Sequence, residues 1–272
     1  MSEHADNVLH LGLNASEVAT SPYARFFNPV MEPLPEHVRE ALATGPLAHE
    51  LLPPVEHAAA LQDPGYWPVE TGYTLAPDGS ARVFVNSPMP GVTPAMWEWW
   101  FVWHGSNGQR YKLWHPQAHV DVRWQDGRDD LDYYIGRVSN VVEYVGPVRM
   151  NVAIRFVPPS ALGFDEQRLK SNAEVAICAR VGLAGAPIET GWLVHHIRPV
   201  PGGSELRTRI WLGGSNVRPR GMPGAIGAWL GRTASRLQPI TAIQVQQLMV
   251  HDAHEMGHLA AILPQLYETF KT

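Results

Sequence analysis

The chain has 272 residues, 45% of them hydrophobic and 17% charged, with a net charge of -5 and one cysteine, Cys178. That composition supports one sizeable core, lacks the basic footprint of a nucleic-acid binder, and contains no run of about 18 apolar residues to span a bilayer. A lone cysteine excludes an internal disulfide framework and a cysteine-rich zinc site. The start, MSEHADNVLHLGLNASEV, shows no basic-then-apolar secretory leader, so the expected compartment is the cytoplasm.

Residues 1–94 are proline-rich and punctuated by short helical patterns. Pro35 to Thr44 is one, entered through proline and stopped by Gly45 and Pro46. Val55 to Gln62 is another, bounded by prolines on both sides. Residues 95–272 form the main domain. Eight runs there read as strands: AMWEWWFVWH, QRYKLWH, HVDVRW, SNVVEYVG, VRMNVAIRFV, AEVAICARVG, GWLVHHIRPV and ELRTRIWLG. Gly202 and Gly203, free to take positive φ, mark a hairpin between the last two. A loop with Pro219, Gly221, Pro223 and Gly224 follows. From Thr241 to Phe270 the pattern turns helical, with Pro264 expected to kink or end it. Antiparallel strands followed by one long helix give an α+β fold, a curved sheet gripping the helix around a ligand cavity.

The strongest chemical signal lies in that helix, at His251-Asp252-Ala253-His254-Glu255-Met256-Gly257-His258. At about 100° per residue, positions 251, 254, 255 and 258 share roughly a third of the circumference. Such a stripe either lies in water or binds a metal, because burial for packing alone is costly. Two metal readings compete. His254, Glu255 and His258 match the H-E-x-x-H pattern of zinc proteases. His251 and Glu255, one turn apart, form the other pair, with the glutamate itself a ligand. A protease wants a third ligand downstream, and beyond His258 the chain offers only Glu268. For the second pair, partners from the strands are His115 or His119, and Glu143, a lone carboxylate among apolar neighbours. Facing solvent or pairing with a cation is the ordinary alternative for that glutamate.

Taken in order, RYKLWHPQAH, VVEYVG, LVHHIRPVPGGSELRTRIWLG and HDAHE resemble the 2,4-diacetylphloroglucinol hydrolase and phloretin hydrolase family, over roughly Met96 to Phe270. The resemblance implies a helix-grip fold like START domains and the birch-pollen allergen, with an added N-terminal helical region. It implies Zn2+ held by His119, Glu143, His251 and Glu255, and hydrolysis of the C–C bond between an acyl group and a phenolic ring. Tyr111 falls at the family's substrate-binding tyrosine, which favours His119 over His115. His195 matches a histidine near the reacting acyl group. His196 is the alternative, and adjacent strand residues face opposite ways, so only one of the two enters a cavity. Ile210 and Trp211 stand near the place of the family's second tyrosine, which has no counterpart.

The implied chemistry gives Tyr111 the acyl oxygen to position and His195 the role of acid/base. Trp97, Trp99, Trp100, Trp103 and Trp114 offer either core packing or an aromatic wall; strand alternation would set Trp97, Trp99 and Trp103 against Trp100. The expected partner is a small acylphenol, with neither nucleic acid nor membrane, and a homodimer left open. The rival from another class is a non-catalytic helix-grip carrier, which needs the cavity but not Glu143, His251 or Glu255.

Overall fold

The computed structural model describes residues 12–220, 226–227, 229, 231–233 and 240–271. The expected glycine- and proline-rich loop at 221–224 and the first eleven residues lie outside that set. Six helices are used below: α1 (Ala15–Thr20), α2 (Glu36–Thr44), α3 (Pro94–Trp103), α4 (Gly108–Trp114), α5 (Glu166–Ser171) and α6 (Ala242–Phe270). Nine strands accompany them: β1 (Gly72–Leu75), β2 (Ala81–Pro90), β3 (His119–Trp124), β4 (Val138–Val145), β5 (Val148–Val157), β6 (Val175–Leu183), β7 (Ile188–Val200), β8 (Gly203–Leu212) and β9 (Arg218–Pro219). They form one antiparallel sheet in the order β1-β2-β8-β7-β6-β5-β4-β3, with β9 beside β7. The sheet wraps the long α6, which packs along β2, β1 and β4. This is the α+β helix-grip architecture.

Six of the eight expected strands are present, β3 to β8. Gly202 turns the β7–β8 hairpin with φ 85°, while Gly203 begins β8 without positive φ. The two helical patterns near the start also form, as α2 and as a 3-10 helix over Val55–Gln62. The same N-terminal stretch supplies β1 and β2, which sequence reading did not anticipate. Pro88 and Pro90 argue against a strand, yet β1 pairs only with Ala81 to Phe84, leaving the proline half of β2 without a paired strand on that side among the described residues.

Two expected strands are helices. AMWEWWFVWH forms α3 and QRYKLWH forms α4, so Tyr111 comes from a helix. Aromatic residues favour strands only weakly, and local signals override them here. Thr93 caps α3, with Pro94 in its first turn and Trp97, Trp100 and Phe101 buried on one stripe. The alternation assigned to the tryptophans is therefore corrected: Trp97 and Trp100 share a face. Pro264 does not end α6, which continues to Phe270, because buried Leu263 and Leu266 hold its flanks. Thr241 and Gln244 start that helix with a capping box.

Three apolar clusters hold the layers together. The largest, rich in tryptophan, binds α3, α4 and α6 to the concave face. A second covers the convex face, where Leu52, Val55 and Leu61 meet Phe84, Cys178 and Trp211. The third joins α2 and the start of α6 to β1 and β2. No described helix is long and apolar enough to cross a membrane.

Candidate active site

A cavity of about 380 Å³ lies between the concave face and α6. Alternation along β4 sends Ser139, Val141, Glu143 and Val145 to it together. From α6, one turn apart, come His251 and Glu255, with Asp252 beside them. Met150, Ile154, Leu193 and Ile210 form an aliphatic wall; Phe101 and Trp114 give it an aromatic end.

His119 opens β3 opposite Glu143 in the ladder. Its Nδ1 donates to the Tyr111 carbonyl at 3.0 Å, and the two rings stack with centroids 3.8 Å apart. That bond fixes the tautomer, so Nε2 carries a lone pair. Nε2 is buried and has no hydrogen-bond partner among the described residues. Close by are the Oε2 atoms of Glu255 at 3.3 Å and Glu143 at 3.8 Å. His251 Nε2 lies 3.7 Å from the same Glu255 oxygen. Donor atoms of His119, Glu143 and His251 all fall within 4.8 Å of one another.

The electrostatics of this group lack a cation. Burial, then His251 and His115, push His119 well below the ordinary histidine range, so it is neutral. Burial, then Asp252 and Glu143, push the Glu255 carboxyl well above its ordinary range. Crowded carboxylates beside a neutral imidazole cannot all ionise alone. A divalent ion would occupy the orphaned lone pair and neutralise both glutamates, so the residues fit a metal. Two imidazoles and two carboxylates suit zinc, and also iron or manganese.

Tyr111 donates its hydroxyl hydrogen to Glu143 Oε2 at 2.5 Å, and burial first, then Glu143, keep it protonated. It therefore orients a carboxylate of the candidate metal set; the acyl-oxygen contact implied by the resemblance would be made alongside this bond. His195 faces the cavity, with Nδ1 3.0 Å from Thr208 Oγ1 on β8 and its pKa brought down to about 3 by burial. His196 points to the convex face and bonds Glu174 at 3.0 Å. The same division separates Ile210, in the cavity, from Trp211, which donates to the Pro53 carbonyl at 2.9 Å.

The remaining candidate histidines lie elsewhere. His115 stacks on His251 with centroids 4.9 Å apart and, with His254, lines an outer pocket of about 900 Å³. His258 is buried with neither ring nitrogen bonded among the described residues. Among the described residues, no cluster of three metal-capable side chains contains His254 or His258. That removes the geometric basis for the protease pattern. Sequence reading missed His104, which lines the cavity at the end of α3. Its signal was helical spacing, four residues after Trp100, hidden by the strand assignment.

The chain is similar to known proteins over most of its length. The family model described as the DAPG hydrolase PhiG domain matches residues 51–268. The chain is 33% identical to a 2,4-diacetylphloroglucinol hydrolase of Pseudomonas sp, covering 95% of this chain and 92% of that protein. It is 28% identical to the phloretin hydrolase of Eubacterium ramulus, covering 90% and 89% of the two. The crystal structure of Ara h 8.0201 aligns with 64% of this chain and 99% of its own, at 12% identity and a TM-score of 0.32. That score is too low to bear on the fold, which rests on the topology above.

Proposed function

The chain belongs to the DAPG hydrolase family, and on that premise we propose that it is a zinc-dependent hydrolase that splits the C–C bond between an acyl group and a polyhydroxylated phenolic ring. The observation that carries the metal is His119 Nε2, a buried lone pair with carboxylates on two sides and no partner among the described residues. His119, Glu143, His251 and Glu255 would hold the ion. Bound there, zinc supplies a Lewis acid for the acyl carbonyl and lowers the pKa of the attacking water.

The chain's own groups account for the proton. Water adds its oxygen to the acyl carbon, the acyl–aryl bond breaks, and the ring carbon must gain a hydrogen. The products are a carboxylic acid and the free phenol. His195, neutral at working pH because burial brings its pKa to about 3, begins as a base. It takes a proton from the water and then returns it to the ring carbon, serving both half-steps. Thr208 holds Nδ1 of that ring, so the other nitrogen is presented to the cavity. Tyr111 steadies Glu143, and the apolar walls exclude bulk water from the departing ring.

The test joins elemental analysis to turnover. Wild type is expected to hold about one zinc per chain and to hydrolyse acylphloroglucinols, and Glu143→Ala to lose both. Zinc retained in the variant would remove Glu143 from the ligand set. A chain that binds phenols without metal or turnover would be a carrier.

A further inference from the structure

His104 lines the cavity but takes no part in the chemistry above. Its ring stands beside Trp114, Phe101 and Tyr111, at centroid distances of 5.3, 5.4 and 6.0 Å. Its Nδ1 is 2.7 Å from the Trp100 carbonyl. A carbonyl only accepts, so Nδ1 carries the hydrogen. Burial brings the pKa of the ring down to about 4, and a neutral imidazole has one hydrogen on its two nitrogens. Nε2 is left as an acceptor, and the Nδ1 bond is the one hydrogen bond that the ring makes among the described residues.

A fixed lone pair in a cavity wall selects for one kind of ligand atom. It repels a carbonyl or ether oxygen and rewards an O–H or N–H. The aromatic flank of Phe101 and Trp114 suits a flat ring, whereas the aliphatic wall offers no polar group to a ring hydroxyl. We propose that His104 is a substrate-binding residue that accepts a hydrogen bond from a ring hydroxyl of the phenol and so determines specificity for hydroxylated rings. This assignment rests on the acylphenol reading and adds to it the orientation of the ring, hydroxyl toward α3 and acyl group toward His119 and Glu143.

The test compares binding of phloroglucinol and 1,3,5-trimethoxybenzene by calorimetry, alongside turnover of an acylphloroglucinol. The second ligand keeps the ring but has no hydrogen to donate. Wild type is expected to prefer phloroglucinol, and His104→Phe to lower that preference about tenfold or more. His104→Asn keeps a donor for the Trp100 carbonyl but withdraws the acceptor, so it should lose the preference even if the phenylalanine variant folds poorly. His104→Gln, which can place an oxygen near Nε2, should retain it. With the acylphloroglucinol, the loss in Phe and Asn variants should fall mainly on KM.

The outcomes separate the two readings. An unchanged preference in both the Phe and Asn variants, with turnover intact, overturns the role of His104 and leaves the hydrolase. Lost preference in a chain that hydrolyses no acylphenol supports His104 and overturns the hydrolase. Failure of wild type to bind phloroglucinol and to hydrolyse the acylphloroglucinol overturns both.

Discussion

Two carboxylate sites lie on opposite faces of the same sheet, and they are built in opposite ways. On the convex face, Glu70 accepts hydrogen bonds from Arg207 at 2.6 and 3.0 Å, from Arg209, and from the Trp67 backbone at 2.6 Å. Burial alone would raise its carboxyl, but the Arg207 hydrogen bond and the nearby charges hold it below its ordinary range. On the concave face, no guanidinium among the described residues is paired with Glu255, and burial and its acidic neighbours drive it upward. The first carboxylate finds its counter-charge within the chain. The second finds no such counter-charge among the described residues, and the proposed metal would supply it. Burial of a carboxylate therefore does not by itself mark a site; the missing counter-charge does.

The largest effect expected from breaking this contrast is on turnover. His195→Ala should reduce kcat by about 10²- to 10⁴-fold while zinc content and melting temperature stay near wild type. Full activity in that variant, measured at saturating substrate, would remove the proton relay. Next comes the convex cluster. Glu70→Ala leaves two buried guanidinium groups uncompensated and should cost about 3–5 kcal/mol of stability by denaturant titration. Its zinc content should not change; loss of metal there would mean that the two faces are coupled.

The smallest effect is in acid. Because the folded pKa of Glu70 lies below its reference value of 4.5, its contribution to stability is present above that pH. It fades as pH falls through the folded value. Melting curves of wild type and Glu70→Gln should therefore converge between about pH 5 and pH 3. Parallel curves across that range would show that the arginines contribute nothing specific to the charged form.

The contrast also explains what could be read from the residues alone. Glu143 was visible because one carboxylate interrupted an apolar strand, and His251 with Glu255 because helical spacing put them on one side. Glu70 gave no such signal, since its arginines are distant in sequence and meet it only through the fold. His195 and His196 were separable as opposite faces, but which face was concave depended on where α6 packs. Both helices α3 and α4 were hidden by tryptophan and tyrosine content, although Thr93 and Pro94 had marked the start of the first. Misreading α3 removed His104 from view.

The four expected metal donors come from two distant parts of the chain, the β3–β4 hairpin and the C-terminal helix. During synthesis, then, the hairpin leaves the ribosome with His119 and Glu143 but with nothing to complete the site. Competence arrives only when the chain through Glu255 has emerged and α6 has closed against the sheet. A message cut short before α6 would yield a protein with half of the proposed donor set and an open apolar trough, which quality control would meet as exposed hydrophobic surface. Under the proposed function, the position of α6 makes translation through that helix a condition for activity.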